Sequence, residues 1–191
     1  MNKGLLIVIS SPSGGGKGTI LAEFFKECPN AKLSVSVTTR NPRPGEIDKV
    51  HYHFKTKQEF EKLIQSEKML EYATYCDNYY GTLKDVVDES LENGIDIVLE
   101  IEVQGGAQVK TLAPNCVSVF IAPPSLEVLE QRLRGRGTEN EDTIQKRLNT
   151  AKQEMETVKD YDYLVINNTV KDAVEEIKAI VKAEKLKTNR L

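Results

Sequence analysis

The sequence predicts an α/β fold in which a parallel sheet is covered by helices on both faces. Short apolar runs, typical of strands buried on both sides, alternate with segments whose apolar residues recur every three or four positions, as on one face of a helix. Elements that alternate in this way build a parallel sheet between two layers of helices. The predicted buried strands lie at 5–9, 95–101, 117–122 and 163–166.

Apolar stripes indicate the helices of this core and of the segments that follow it. The stripe after Pro124 has Ser125 as its predicted N-cap, because a serine hydroxyl accepts a hydrogen bond from the first turn. The stripes consist of Ile20, Leu21, Phe24 and Phe25; of Leu126, Leu129 and Leu133; of Ile144, Leu148, Ala151 and Met155; and of Val170, Val174, Ile177 and Val181.

Residues 34–93 do not follow this pattern and predict a small lobe inserted between two core strands. Its apolar residues alternate over short stretches, as in half-exposed strands, and are separated by loop and cap signals. The predicted elements are a strand at 33–37, a loop at 41–45, a helix opened by the capping box of Thr56 and Glu59, an extended segment at 69–76 and a helix over 83–91.

The stretch between the first predicted strand and helix has the composition of a loop that binds a nucleoside triphosphate. Its glycines let backbone N–H groups approach phosphate oxygens at a helix N-terminus, where the dipole favours negative charge. Lys17 can reach the outer phosphates. Gly18 stands where the usual pattern has a hydroxyl for Mg²⁺, so we expect water and carboxylates elsewhere to complete its coordination. The predicted loop comprises Ser11, Pro12, Ser13, Gly14, Gly15, Gly16, Lys17, Gly18 and Thr19.

The length and net charge of the chain limit the functions that it can have. A chain of 191 residues can bury one sizeable core with small appended lobes. A net charge of −3 gives no general electrostatic attraction to nucleic acid or membrane, and no segment approaches a membrane span. Cys28, Cys76 and Cys116 lack metal-ligand spacing and fit a reducing compartment. We therefore expect a cytoplasmic protein with no nucleic-acid or membrane partner.

Two groups of arginines are placed where they could bind phosphate. Guanidinium groups grip phosphate oxygens bidentately, and loop arginines can stabilise the charge of a transferring phosphoryl group. On composition alone, either group could equally be solvated surface arginines. The first group is Arg40 and Arg43, with Tyr52, Tyr79 and Tyr80 downstream. The second group is Arg132, Arg134 and Arg136, beside a polar loop at 134–140 that we expect to be mobile, and Arg147.

Glu100 and Glu102 stand at the end of a predicted core strand. Ligands gather at the carboxyl ends of strands in open α/β sheets, and acids there can hold the water shell of Mg²⁺. The alternative is that these acids cap the following helix.

Five motifs, in this order, resemble the guanylate kinase family, and the resemblance covers about residues 4–187. The motifs are Ser-Pro-Ser-Gly-x-Gly-Lys at 11–17, Thr-Thr-Arg-x-Pro-Arg-x-Gly-Glu at 38–46, Asn-Tyr-Tyr-Gly at 78–81, Ile-Ala-Pro-Pro-Ser at 121–125 and Gly-Arg-Gly-Thr-Glu at 135–139. The resemblance implies a P-loop NTPase three-layer core, an inserted mixed-sheet GMP-binding lobe and a mobile lid. The core would comprise 1–33, 94–125 and 160–191, the lobe 34–93 and the lid 126–159.

The resemblance further implies ATP-dependent phosphorylation of GMP, and of dGMP, within purine nucleotide metabolism. Arg40, Arg43, Tyr52 and Tyr80 would hold the GMP phosphate, with Glu46 supporting the arginines. The base would lie against Ser36, Glu71, Thr82 and Glu102. Guanine offers N1–H and a 2-amino group that suit a carboxylate, whereas AMP would leave that carboxylate unpaired.

The same resemblance places ATP in the loop at 11–19, with Lys17 bridging towards the transferred phosphate. Glu100 would orient hydrated Mg²⁺, and Asn168 would lie near the adenine. GMP and ATP would be the small-molecule partners of a monomer or homodimer. The implied catalytic residues are Lys17, Arg40, Arg132, Arg136 and Arg147.

Other functions remain open on the residues. A kinase for another nucleoside monophosphate is one, because Gly18-Thr19 after the lysine is similar to adenylate kinase. A guanylate-kinase-like scaffold module would bind phosphorylated peptides without chemistry, but such modules typically have degraded phosphate loops, and Lys17 and its glycines are intact here. A GTPase switch would need a guanine-binding Asn-Lys-x-Asp segment, which the sequence lacks.

Overall fold

The computed structural model describes residues 3–75, 77–135, 137 and 140–188. In chain order, the helices and strands of these residues are β1 (Leu6–Ser10), α1 (Lys17–Glu27), β2 (Ala31–Leu33), β3 (Val37–Thr38), β4 (His53–Phe54), α2 (Lys57–Gln65), β5 (Met69–Tyr75), β6 (Asn78–Leu83), α3 (Lys84–Glu92), β7 (Asp96–Glu100), α4 (Val103–Leu112), β8 (Val117–Ala122), α5 (Leu126–Gly135), α6 (Glu141–Glu156), β9 (Tyr163–Ile166) and α7 (Val170–Lys185). A short 3₁₀ turn, Thr157–Asp160, follows α6.

The first sheet has the strand order β2-β7-β1-β8-β9, and all of its pairings are parallel. Successive residues of β1 point to opposite faces, as the strand period requires. Ile7 and Ile9 pack against α1 and α7, whereas Leu6 and Val8 pack on the other face with residues of α3 and α4. The predicted parallel sheet, covered on both faces, is therefore confirmed.

The second sheet is mixed, with the order β4-β3-β6-β5. Strand β3 pairs in parallel with β4 and antiparallel with β6, which in turn pairs antiparallel with β5. The four strands all lie within the segment that the sequence analysis separated from the core. The fold thus has a second sheet, and three of the predicted substrate ligands, Glu71, Tyr80 and Thr82, lie on its strands.

The single strand predicted at 33–37 is wrong. Ala31–Leu33 pairs with β7 in the first sheet, and the N–H of Ser34 still donates to the carbonyl of Val98 at 2.9 Å. The chain then leaves this sheet, and Val37–Thr38 joins the second one. Alternation of apolar residues continues across the break, so the pattern does not reveal that the chain changes sheets.

The predicted helix signals are confirmed at their starts. Thr56 and Glu59 form the capping box of α2, with the two reciprocal bonds at 3.2 and 2.8 Å. The N–H of Val128 donates to the hydroxyl of Ser125 at 3.3 Å, at the start of α5. Helix α1 begins at Lys17. None of the helices in the described ranges has the length and apolar composition needed to cross a bilayer.

Helices α5 and α6 pack against each other around an apolar cluster of their own. Its buried side chains are Leu129, Leu133, Ile144, Leu148 and Ala151. This cluster is distinct from the two that flank the parallel sheet. The helix pair therefore has packing of its own over the carboxyl edge of the sheet.

Candidate active site

The predicted phosphate loop connects the central strand β1 to α1 and lines a cavity of about 300 Å³ together with Glu100 and Glu102. Gly14 and Gly16 have φ of 90° and 93°, in the left-handed region where a side chain would be strained. Gly16 is the N-cap of α1 and provides no side-chain cap, so N–H groups of the first turn face the cavity without a side-chain acceptor there. This geometry suits a bound phosphate.

Two side chains from the far end of the chain hold the loop. The side-chain amide of Asn167 donates to the carbonyl of Gly15 at 2.7 Å, and the guanidinium of Arg132 lies 3.5 Å from the same oxygen. Arg132 also donates to the Asn167 carbonyl at 3.0 Å. A Cβ on Gly16 would lie 2.4 Å from the Asn167 amide nitrogen, so this contact requires glycine. Arg132 thus contacts the backbone of the phosphate loop and of the segment after β9.

Asn167 was missed by the sequence reasoning, which selected its neighbour. Asn168 is exposed, and its N–H donates to the Ile166 carbonyl, whereas Asn167 is buried against the loop. The available signal was position, because Asn167 comes directly after β9 and so lies at the carboxyl edge of the sheet.

Lys17 and the two acids meet at the end of β7. The ammonium of Lys17 donates to the carbonyl of Ile101 at 3.3 Å, between Glu100 and Glu102 in sequence. A Cβ on Gly18 would lie 3.9 Å from Glu100 Oε1, so this carboxylate faces the first turn of α1. Glu102 occupies the N-cap position of α4 but makes no side-chain cap bond. The acids therefore face the phosphate-loop cavity, and an oxygen donor lies where a hydrated Mg²⁺ could use it.

Arg40 and Glu46 form an ion pair next to two tyrosines, close to the strands of the second sheet. These four residues are called the Arg40 cluster. Arg40 donates to both carboxylate oxygens of Glu46, at 2.8 and 3.0 Å, and the Arg43 N–H adds a bond of 2.7 Å. The hydrogen bond from Arg40 lowers the pKa of Glu46 to about 2. The Arg40 guanidinium lies 5.4 Å from the centre of the Tyr52 ring, which is 6.2 Å from that of Tyr80. Arg43 itself has an exposed side chain.

Glu71 and Thr82 form a second polar pair, buried between β5, β6 and α4. The Thr82 hydroxyl donates to Glu71 Oε1 at 2.7 Å, and Glu71 is only 5 % exposed. Burial raises the pKa of Glu71, and the bond from Thr82 opposes that shift. A Cβ on Gly105 would lie 2.9 Å from Glu71 Oε2, so the carboxylate faces the first turn of α4. Ser36, just before β3, is half-buried.

A family model described as guanylate kinase matches residues 3–184. This chain belongs to the guanylate kinase family. It is 52% identical over 189 residues to the guanylate kinase of Halalkalibacterium halodurans, covering 99% of this chain and 93% of the relative. It is 50% identical over 190 residues to that of Clostridioides difficile, covering 100% and 93%. The crystal structure of guanylate kinase from Anaplasma phagocytophilum superposes with a TM-score of 0.79 at 31% identity, covering 100% of this chain and 90% of that one.

Guanylate kinase phosphorylates GMP to GDP with ATP as co-substrate, so this family assignment makes the chain a nucleotide-binding transferase with two small-molecule substrates. The fold and activity expected from the sequence resemblance are therefore confirmed. Three different parts of this structure carry the polar groups described above: the phosphate loop, the cluster of Arg40 and Glu46, and the Glu71–Thr82 pair.

The other three arginines of the second predicted group, Arg134, Arg136 and Arg147, do not form one cluster among the described residues. Arg134 pairs with Glu130 and Glu141 on the exposed surface of α5 and α6, so it does not face the phosphate loop. Arg147 lies on α6 and is half-buried. Arg136 lies outside the described residues.

Proposed function

We propose that this guanylate kinase binds ATP in the phosphate loop and GMP across the second sheet, with their phosphate ends facing each other. One observation carries this proposal: residues 100–105 border both sites. Glu100 and Glu102 line the phosphate-loop cavity, while Gly105, one turn along α4, faces Glu71. In addition, the charge of Glu100 contributes to the raised pKa of Tyr52, whose main cause is burial. The Arg40 cluster therefore lies within electrostatic range of the cavity.

The proposed phosphate clamp for GMP consists of Arg40, Arg43, Tyr52 and Tyr80. Glu46 holds Arg40 in a fixed orientation, which reduces the conformational entropy lost when the phosphate binds. Guanidinium and phenol groups donate hydrogen bonds to phosphate oxygens. The exposed side chain of Arg43 would turn inward when the substrate arrives. Both cationic groups then compensate the charge of the monophosphate.

The proposed base site consists of Ser36, Glu71, Thr82 and Glu102. The Glu71 carboxylate would accept hydrogen bonds from guanine N1–H and its 2-amino group, and the Ser36 hydroxyl would donate to O6. The Thr82 hydroxyl, which donates to Glu71 in the free protein, would have to turn its hydrogen to O6 when guanine binds. Adenine lacks both guanine donors. A site built for such bonds can reject an analogue without them by roughly 10⁴-fold. The same contacts ignore the ribose 2′-hydroxyl, so we also propose that dGMP is accepted.

The proposed ATP site comprises Ser11 to Thr19, with Lys17 leaving the Ile101 carbonyl for the transferred phosphate and Asn168 near the adenine. Arg132, Arg147 and Arg136 would close over the triphosphate as residues 126–159 move as a lid on the core at 1–33, 94–125 and 160–191. The GMP phosphate is already an anionic nucleophile, so in-line placement and charge stabilisation are sufficient and no strong general base is needed.

Magnesium is proposed as the metal cofactor, with Glu100 as its water-mediated protein ligand. In the described part of the chain, no cluster of three or more His, Cys, Asp or Glu side chains could hold a metal by itself. ATP phosphate oxygens and water would therefore supply the other ligands, as is usual for Mg²⁺. When bound, Mg²⁺ neutralises charge on the phosphate oxygens.

The test of this function is ADP release in a coupled assay with GMP, AMP, UMP or dTMP as acceptor. We expect rapid turnover with GMP and at least about 10³-fold lower kcat/KM with AMP, since a buried carboxylate would be left unpaired. Comparable rates with AMP would contradict the base-site assignment. We further propose a cytoplasmic location. We also propose that the protein is a monomer or a homodimer, and sedimentation with and without nucleotides would distinguish these two states.

The affinity for GMP should depend on the ionisation of Glu71. Its pKa is raised above the ordinary value of 4.5, and only the ionised form can accept both guanine donors. The KM for GMP should therefore rise as the pH falls through that raised pKa. Without GMP, Glu71 affects the folding stability in the opposite direction. Because its pKa is raised in the fold, the folded protein favours the protonated form. The stability that this group contributes is therefore lost as the pH rises through the raised pKa.

Steady-state kinetics from pH 5 to 8 with Glu71→Gln as the reference would isolate this effect. The phosphate of GMP titrates identically in both proteins, so the difference between their profiles belongs to Glu71. Profiles that differ only by a constant factor would show that Glu71 does not titrate in this range.

A further inference from the structure

Gln108 on α4 makes a two-point contact with strand β5 that none of the roles proposed above uses. Its side-chain amide donates to the carbonyl of Tyr72 at 3.0 Å, and its Oε1 accepts from the N–H of the same residue at 3.3 Å. A carboxamide presents a donor and an acceptor side by side, as the backbone of a neighbouring strand does. Gln108 thus takes the place of a further strand at this point of β5.

Tyr72 lies on a strand that has a free edge. Strand β5 is the last in the order β4-β3-β6-β5, and it pairs with β6 on its other side. Edge strands leave a row of backbone N–H and C=O groups without a ladder partner. In an antiparallel ladder, both backbone groups of one residue point to the same side. Gln108 therefore satisfies the two groups that Tyr72 directs away from β6.

This contact lies next to Glu71 in sequence and in space. Neighbouring side chains of a strand point to opposite faces, so Glu71 faces α4 while the Tyr72 ring packs against Phe60 of α2, with 6.4 Å between the ring centres. A Cβ on Gly105 would lie 2.9 Å from Glu71 Oε2, and Gly105 stands three residues before Gln108, on the same face of α4. One helix face therefore meets both the Glu71 carboxylate and the backbone of the next residue.

The ladder between β5 and β6 does not by itself set the position of Glu71. Its register shifts between Met69 and Glu71, an irregularity of the β-bulge kind. Bulges interrupt strand pairing and re-aim the side chains beside them, and they are common next to functional sites. Beyond Glu71, a cavity of about 340 Å³ borders residues 72–74 together with Gln104 and Gln108. The two bonds from Gln108 thus hold the strand directly after the register shift.

We propose that Gln108 is a positioning residue for guanine recognition: by holding the backbone of Tyr72, it sets where the Glu71 carboxylate meets the base. The inference rests on the proposed function, in which Glu71 accepts hydrogen bonds from guanine. Because two guanine donors have to meet one carboxylate, a displacement of Glu71 weakens both bonds together. AMP does not use the carboxylate in this way, so the loss of Gln108 should affect GMP more than AMP.

Three single variants test this inference by kinetics with ATP and GMP varied separately. Gln108→Ala should lower kcat/KM for GMP by about 10-fold, as expected for the loss of two hydrogen bonds, with KM for ATP within about 2-fold. Gln108→Glu keeps the length and one acceptor but turns a second oxygen to the Tyr72 carbonyl, so it should be at least as impaired. Gln104→Ala removes an exposed glutamine one turn earlier on α4, without a side-chain hydrogen bond to the described residues, and should behave as wild type.

A double variant separates positioning from general loosening of the fold. Competition between GMP and AMP in one assay gives the ratio of their kcat/KM values, which does not depend on how much of a variant is folded. Gln108→Ala should lower this ratio by about 5-fold or more in the wild-type chain but by less than about 2-fold in a Glu71→Gln background, because a residue that acts through another is not additive with it.

A Gln108→Ala variant with the wild-type GMP/AMP ratio would overturn the inference, as would an equal fall of the ratio in both backgrounds. A Gln108→Glu variant with the wild-type ratio would also overturn it, since the bond to the Tyr72 carbonyl would then be dispensable. If the wild-type chain itself does not prefer GMP to AMP, the proposed base site fails. If it does and Gln108→Ala keeps that preference, only this inference fails.

Discussion

Replacing Lys17 with alanine should lower kcat for GMP phosphorylation by about 10²- to 10³-fold, the range seen when one preorganised donor to a developing anion is removed. In the structure, Lys17 begins α1, and within the described residues its ammonium donates a single hydrogen bond, to the Ile101 carbonyl, so it can be released to a phosphate at little cost. Of the lysines that the structure describes, Lys17 alone lines the cavity. The KM for GMP should stay nearly unchanged, because the Arg40 cluster and Glu71 lie outside this loop.

Lys26→Ala is the matched control, since it removes a lysine from the same helix. Its side chain is 68% exposed and pairs with Glu23 on the surface, and such pairs contribute little. Initial-rate kinetics over both substrates, with binding of GMP measured by calorimetry, would give the result. Undiminished turnover in Lys17→Ala would remove the lysine from the proposed mechanism, and a parallel loss of GMP binding would show that the two sites are not separate.

Replacing Glu71 with glutamine should lower kcat/KM for GMP by about 10²-fold and narrow the preference over AMP, because a site that hydrogen-bonds its substrate loses discrimination when that group changes. The oxygen of the glutamine amide can accept a hydrogen bond from one guanine donor. Its NH₂ group would face the other guanine donor, and two donors cannot hydrogen-bond to each other. Burial of Glu71 against α4 excludes water that could compensate. The Thr82 hydroxyl can still donate to the remaining oxygen, so the local fold should persist.

Glu61→Gln serves as the control, since it changes an exposed acid on α2 in the same region of the chain. Competition between GMP and AMP in one assay gives the ratio of their kcat/KM values directly. An unchanged GMP/AMP ratio in Glu71→Gln would reject recognition of guanine by this carboxylate and leave the base site to be found elsewhere.

Much of the fold follows from local sequence. Short, mostly apolar runs such as 117–122 are typical of strands buried on both faces, and the capping box at Thr56 fixes where α2 starts. What local sequence does not contain is the partner of each strand. The break after Leu33 and the pairing of β6 with β3 depend on residues far along the chain. Gly81 within β6 weakens its strand signal, yet a Cβ there would lie 2.5 Å from the Glu71 carbonyl oxygen.

The residues of the candidate site likewise fall into those that local sequence reveals and those that only the fold brings together. The phosphate loop and Arg40 are recognisable because their chemistry is concentrated in a few neighbouring residues. Asn167 is not, since it is an ordinary polar residue at the end of a strand. Asn167 bonds to Gly15 across 152 positions of sequence. Only the arrangement of the sheet brings such residues to the loop, so a single sequence does not identify them.

A crystal structure with a bisubstrate compound, in which adenosine and guanosine are joined through their 5′ positions by a polyphosphate chain, would test the placement of both nucleotides at once. We expect the adenosine-side phosphates on the N–H groups of residues 13–19 beside Lys17, guanine against Glu71 and Thr82, and the guanosine-side phosphate on Arg40. Guanine bound at the phosphate loop, or an Arg40 cluster without phosphate, would contradict it.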